Sequence, residues 1–253
     1  MDASSQFEAV SFVIPAHNEE KYLPNTLQVL YQSACSLGIS FEIIVVNDAS
    51  TDGTADVVSE FSGSVDPDGG GQVRSLNVEL RNIGAVRNAG AAISQNPWLI
   101  FLDADTQLPP STLRQSLEML STGAVGGGAW VKLDDVKPVP FLKRLMFLGV
   151  ALVWQHMGRW AAGCYMFCQK TVFDEFGGFD EDYFAAEEYF FSRNLRRRGR
   201  FALVPGSVFT SARKLHSYSV WELLRFLTMP FLVRGGPLRS RSGLEILYED
   251  DRR

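Results

Sequence analysis

The chain has 253 residues, 46% of them hydrophobic, and a mean hydropathy near zero, enough to build one sizeable α/β domain. Its net charge of −5 leaves no basic excess to neutralise phosphates, which excludes nucleic acid as the main partner. Three cysteines (Cys35, Cys164, Cys168) form neither an even framework nor a zinc pattern, and read as reduced residues of a cytoplasmic protein.

The first half alternates strand and helix. Residues 10–14 read as a strand ended by Pro15, and a helix is expected over 19–37, with Asn18 as its cap and Gly38 as its stop. Residues 41–46 form a second buried strand, and the turn at Ser50-Thr51-Asp52-Gly53 leads into a helix over 54–61. A surface loop over 62–72 carries Asp66-Pro67-Asp68 and Gly69-Gly70-Gly71. A third strand at 73–78, a helix over 84–95 and the apolar run Trp98-Leu99-Ile100-Phe101-Leu102 complete the half. Repeated β-α-β with buried strands predicts a parallel sheet with right-handed crossovers.

The rhythm then changes. Ser111 is placed to cap a helix ending at Leu120, and 124–133 reads as a Gly-rich strand. A helix over 138–157, a short strand at 164–168, a turn at Gly177-Gly178-Phe179-Asp180 and a helix over 187–198 follow. Two short edge strands, 201–204 and 208–210, are expected last. No internal repeat or linker divides the chain, so one domain is expected over 1–253. Segments 140–154 and 221–233 have some interfacial membrane character, neither is apolar enough to span a bilayer, and packing on the protein's own core accounts for both. Residues 1–9 lack a basic flank and an apolar run, so no signal peptide is expected.

Chemistry concentrates behind the fourth strand. Asp103 and Asp105, spaced i, i+2, can point together out of the sheet's carboxyl edge, where open α/β sheets bind ligands. A hard divalent cation bridging phosphate oxygens takes one or two carboxylates in such a place. Ile14-Pro15-Ala16-His17-Asn18-Glu19-Glu20 ends the first strand, and Asp48 stands at the tip of the second. Acidic groups on three strand tips (Glu20, Asp48, Asp103 with Asp105) repel one another unless a cation or a donor-rich ligand offsets them. Each motif alone also reads as an ordinary capped turn.

In order, Val13-Ile14-Pro15-Ala16-His17-Asn18-Glu19-Glu20, Val46-Asn47-Asp48-Ala49-Ser50-Thr51-Asp52-Gly53-Thr54, Asn82-Ile83-Gly84-Ala85-Val86-Arg87-Asn88-Ala89-Gly90, Phe101-Leu102-Asp103-Ala104-Asp105 and Gly177-Gly178-Phe179-Asp180-Glu181 resemble the signature of family 2 glycosyltransferases of the GT-A fold. The resemblance covers roughly residues 10–210. It implies a single Rossmann-like α/β domain, with a mostly parallel sheet covered by helices on both faces. Within it, about 8–110 would form a nucleotide-sugar half, about 111–215 a mixed acceptor half, and 216–253 a helical tail. It also implies a metal-dependent, inverting transfer from a UDP- or GDP-sugar to an acceptor hydroxyl that the sequence does not name.

Carried over residue by residue, the resemblance puts Pro15, Ala16, Glu20 and Asp48 around the nucleoside, with Arg87 facing the nucleotide or making a surface salt bridge. It puts Asp103 at the ribose or donor sugar and Asp105 on Mn²⁺ or Mg²⁺, with His216 as a further metal ligand or an exposed bystander. Where the family carries Glu-Asp this chain has Glu187-Glu188, so either Glu188 or Glu187 is the expected base. Arg213 and Lys214 are placed to close over a diphosphate. Trp130, Trp154 and Trp160 form an aromatic wall for a sugar or lipid, or part of the core. Peripheral contact with the inner face of a membrane is compatible with this reading. Two rivals stand beside it. Leu99-Ile100-Phe101-Leu102-Asp103-Ala104-Asp105-Thr106 also resembles the motif of haloacid-dehalogenase-type phosphatases, with Asp103 as nucleophile, Asp105 as general acid and Asp134-Asp135 on Mg²⁺. The other rival is a catalytically silent scaffold that binds nucleotide.

Overall fold

The computed structural model describes residues 7–65, 71–134, 160–183 and 187–213, with Leu145 and Gly149 as isolated positions. The helix expected over 138–157, both candidate membrane segments, Trp154, Asp135, Lys214, His216 and the tail lie outside the described residues. An eight-stranded sheet runs in the order β3-β2-β1-β4-β7-β6-β8-β5. Its first four strands, β3 (Gly71–Val78), β2 (Phe41–Asp48), β1 (Val10–Ala16) and β4 (Trp98–Leu102), are mutually parallel. The sequence dictates this: β1, β2 and β4 are near-continuous apolar runs, and strands buried on both faces need helices above and below.

Those helices sort into two layers. Apolar residues of α1 (Leu23–Ser36), α2 (Thr54–Ser64) and α4 (Pro110–Ser121) pack with Phe12, Ile43 and Ile100 on one face. Residues of α3 (Ile83–Ile93), α5 (Lys170–Phe176) and α6 (Glu187–Arg198) pack with Val13, Ile44 and Phe101 on the other. Alternation along each strand sends Val13 one way and Phe12 the other.

Beyond β4 the sheet becomes mixed. β7 (Tyr165–Gln169) pairs antiparallel with both β4 and β6 (Gly126–Asp134), and β8 (Phe201–Ser211) runs parallel to β6. The two expected edge strands are thus one. Pro205 and Gly206 are bulged out where the register shifts between Ala129 and Trp130, because Pro205 has no N–H to give the ladder. Gly206 N–H instead donates to Gln115 Oε1 at 2.7 Å. β8 is also not the edge. The two-residue β5 (Thr106–Gln107), which the sequence did not announce, covers its far side.

Two helix starts differ from expectation for one reason. α1 begins at Leu23 with Pro24 in its first turn, and α4 begins at Pro110, with Ser111 already inside it. A proline fixes φ and has no N–H to leave unpaired, so it opens a helix better than the polar residues nearby. Asn18 accordingly is no cap for α1; it adopts φ +55° and accepts Thr51 N–H at 2.8 Å.

An aromatic cluster fixes the second half under the sheet's carboxyl edge. Phe101 of β4 meets Phe179 edge-on at 5.0 Å, and Phe179 stacks on Phe191 of α6 at 4.6 Å. Gly177 and Gly178, at φ +80° and +77°, turn the chain from α5 into this cluster. Asn88 of α3 clamps that turn, accepting Phe179 N–H at 2.8 Å and donating to the Phe179 carbonyl at 2.8 Å. The third and fifth sequence motifs therefore hold each other in place.

Candidate active site

The loops leaving β1, β2 and β3 are stitched together at the carboxyl edge. Among the described residues, the non-glycine positions with left-handed φ are Asn18, Ala49 and Arg81, one in each loop. Such backbone strain is held only where the surroundings enforce it. At Arg81 it presents two successive amides to Asp48, whose carboxylate accepts Leu80 N–H at 2.7 Å and Arg81 N–H at 2.8 Å. His17 meets the Asp48 carbonyl through Nδ1 at 2.5 Å. Pro15 and Ala16 close β1 opposite Val46 and Asn47. Glu20 is exposed and accepts Gly53 N–H at 2.7 Å, while its own N–H donates to Asp52 at 3.1 Å. Burial works to raise the Asp52 pKa, but hydrogen bonds from the Thr54 hydroxyl and amide, joined by the Glu20 amide, lower it on balance. Pro15, Ala16, Glu20 and Asp48 thus share one rim, with Glu20 and Asp48 tying its loops together.

Two arginines organise the carboxylates at the centre. Arg87 lies fully buried on α3, one layer beneath the rim and far from the surface salt bridge its sequence position allowed. Its guanidinium donates to Asp103 Oδ1 at 3.0 Å, Glu187 Oε1 at 2.7 Å and the Gly163 carbonyl at 2.8 Å. It also lies over the Phe179 ring at 5.4 Å. Burial works to lower its pKa, but Asp103, Glu187 and Glu188 raise it on balance and keep it charged. One cation therefore joins the Asp103 turn to the start of α6. Thr26 of α1 steadies that turn from the other side, donating to the Ala104 carbonyl at 2.8 Å.

Glu187 and Glu188 differ in environment despite being neighbours. Glu187 is buried against Arg87. Glu188 is half-buried beside Gly163. Burial first, and then the charge of Glu187, push Glu188 up to about 8, against the pull of Arg87. Arg87 bonds Glu187 directly and acts on Glu188 through its charge. Trp160 packs edge-on against Tyr189, the residue after Glu188, at 4.5 Å.

The second arginine was legible only as a candidate, and its chief partner was missed. Arg213, just past β8, forks onto Glu19, with Nη1 at 2.8 Å from Oε2 and Nη2 on Oε1. Its Nε reaches Asp105 Oδ2 at 3.0 Å, and its plane lies 4.9 Å from the centre of the Tyr22 ring. Burial raises the Glu19 pKa and Arg213 works to lower it; with Asp105 and Asp103 also raising it, the balance is upward. Only the local turn decides which of Glu19 and Glu20 faces inward. Glu19 N–H is drawn to Thr54 Oγ1 at 2.8 Å, and Glu20 is left outside.

Among the described residues no group of three acidic, histidine or cysteine side chains is gathered closely enough to hold a metal ion alone. Glu19 and Asp105 nevertheless converge on one cation, the guanidinium of Arg213. Their hard oxygens fit Mg²⁺ or Mn²⁺ of the kind that completes its shell with phosphate and water. Asp134, a metal residue in the phosphatase reading, accepts from Gln107 at 3.1 Å. No helix among the described residues is long and apolar enough to cross a membrane.

The sequence matches the description "Glycosyl transferase family 2" over residues 11–178. It is 36% identical over 119 residues to an undecaprenyl-phosphate 4-deoxy-4-formamido-L-arabinose transferase of Pseudomonas aeruginosa, covering 46% of this chain and 33% of that protein. It is 30% identical over 161 residues to the dolichyl-phosphate beta-glucosyltransferase of Drosophila melanogaster, covering 57% of this chain and 48% of that one. The chain therefore spans between a third and a half of the length of these relatives. Among solved structures, mannosyltransferase PcManGT from Pyrobaculum calidifontis, in complex with GDP-Man and Mn²⁺, superposes with a TM-score of 0.65 at 18% identity, covering 96% of this chain and 70% of that one. S. aureus TarS 1-349 in complex with UDP-GlcNAc gives 0.62 at 19% identity, covering 95% and 71%. At these identities the superpositions speak for the fold.

Proposed function

The chain belongs to glycosyl transferase family 2 and has its GT-A fold, and we propose that it moves a sugar from a nucleotide diphosphate donor to an acceptor oxygen, with inversion at the anomeric carbon. The observation that carries this reading is the buried Arg87, which joins Asp103 on the donor-side strand to Glu187 at the base-side helix. Residues 8–110 bind the donor. The nucleoside lies on the rim formed by Pro15, Ala16, Glu20 and Asp48, and Asp103 reaches the ribose or the donor sugar. Residues 111–215 carry the acceptor.

Glu19 and Asp105 would hold a divalent cation, with His216 as a further candidate ligand. When bound, such an ion supplies charge neutralisation to the departing diphosphate. With a hydroxyl acceptor, Glu188 takes its proton as the new bond forms at the anomeric carbon. Glu187, ion-paired to Arg87, positions it. The retained carboxylates and their ordered setting favour this over a silent scaffold, and the family match leaves the phosphatase reading without support.

The names of two relatives, an undecaprenyl-phosphate and a dolichyl-phosphate transferase, favour a lipid phosphate acceptor and, with it, peripheral contact with a membrane. Thermal unfolding of the wild type and Asp105→Ala, against UDP-, GDP-, TDP- and CDP-sugars with and without Mn²⁺, tests the donor half. A ligand of the native state alone raises Tm with occupancy. One nucleotide acting only with metal, and only on the wild type, is the expected result. No response to any nucleotide sinks the reading.

A further inference from the structure

The cation between Glu19 and Asp105 belongs to the chain itself. Arg213 is separated from Glu19 by 194 residues and closes the site from the far end of the sheet. Its guanidinium directs both Nη atoms to Glu19 and its Nε to Asp105, so each nitrogen of the planar group meets a carboxylate. Its positive charge lies between the Glu19 and Asp105 carboxylates and offsets their mutual repulsion.

The strand that carries Arg213 is pinned independently. Ser211 N–H donates to the Asp105 carbonyl at 3.2 Å, and Thr210 Oγ1 lies 3.4 Å from Asp105 Oδ1. Exchange of the guanidinium for another cation thus requires a side-chain swing and no loss of the β5–β8 pairing.

Building on the donor-site reading above, we propose that Arg213 is a built-in counter-ion that occupies the cation position of Glu19 and Asp105 and is displaced by the incoming divalent metal. Metal affinity in this chain is then set by competition. The carboxylate pair that binds the metal must first give up a forked ion pair, so free metal binds weakly. The displaced guanidinium needs a new anion, and the donor's diphosphate is the anion that arrives beside it. Arg213 acts in this way as a positioning residue that delays metal capture until the donor comes.

Mn²⁺ binding to the whole chain without nucleotide, followed by electron paramagnetic resonance, tests the proposal on wild type, Arg213→Gln and Arg213→Lys. Removing the competing charge is expected to tighten Mn²⁺ binding by about tenfold or more in Arg213→Gln, in line with coupling between close charge pairs. Arg213→Lys keeps the charge without the fork and falls between, which also gives a milder comparison should the Gln variant fold poorly. Equal or weaker Mn²⁺ binding in Arg213→Gln overturns the proposal. If wild type and variant are then still stabilised alike by Mn²⁺ with a nucleotide, the donor-site reading stands without it. If neither protein binds Mn²⁺ or any nucleotide, both readings fall.

Discussion

Replacing Arg87 by Met tests the central link. The change removes a fully buried cation and three hydrogen bonds, two of them to carboxylates, on Asp103, Glu187 and the Gly163 carbonyl. Breaking a buried ion pair by deleting one partner costs about 3–5 kcal/mol, because the other charge stays behind uncompensated. Against a total stability of about 5–15 kcal/mol for a domain, the variant is weakened but still measurable. The cost must also depend on pH. Glu188 has a folded-state pKa raised by burial and by Glu187 to about 8, and Arg87 pulls it down. A raised carboxyl pKa favours the native state at low pH, and that advantage is lost as pH rises through the folded pKa. Without Arg87 the folded pKa moves higher still, so the penalty relative to wild type is greatest above pH 8 and smaller near pH 5. Urea unfolding at pH 5, 7 and 8.5 reads this directly. A loss below about 1 kcal/mol, or one that does not change with pH, refutes the placement of Arg87 as the shared counter-ion.

Gly178→Ala puts a Cβ at φ +77° and 2.5 Å from Asn88 Oδ1, so it should cost about 2–3 kcal/mol by strain and loss of the Asn88 clamp, seen as a lower Tm. Ala49→Gly relaxes a left-handed alanine (φ +53°) and should raise stability by up to about 1 kcal/mol; a lower Tm would mean the loop is not strained there. Glu188→Gln should leave Tm close to wild type, abolish any rise of kcat with pH through about 8, and lower kcat by about 10²–10⁴ for a hydroxyl acceptor. A smaller effect than that of Glu187→Gln would exchange the two roles.

The donor half of the fold was legible because its strands are apolar runs of strand length between turn residues, a pattern that parallel strands buried on both faces must have. The second half was less so. β5 is two residues long and carries no periodic signal, and β8 hides a bulge at Pro205-Gly206 that reads as a strand break. Helix starts were misplaced where polar caps competed with prolines. In the site, Asp103 and Asp105 stood out because two carboxylates follow an apolar strand at i, i+2, and Glu188 because its segment resembles the one where the family carries Glu-Asp. Glu19 did not, since adjacent glutamates look equivalent until the Thr54 hydroxyl pulls one inward. Arg87 was visible as a residue but not as a buried bridge, because its partners lie 16 and 100 positions away.

The protonation of Glu188 bears on which acceptor the site was shaped for. A hydroxyl nucleophile needs an ionised base, and a carboxyl with a pKa of about 8 supplies one only above neutrality or once a bound ligand has lowered that value. A phosphate acceptor needs no base, since its oxygen is already anionic, and it would be repelled by a second full charge beside the buried Glu187. For such an acceptor a neutral Glu188 is the better neighbour, because it can donate a hydrogen bond to the incoming anion. The two cases separate in one comparison. With a hydroxyl acceptor, Glu188→Gln removes the base and the rate falls steeply. With a lipid phosphate acceptor, Gln preserves a neutral donor in the same place, so the loss should stay within about tenfold and the rate should not climb with pH. The size of that single loss therefore identifies the acceptor's chemistry before the acceptor itself is known.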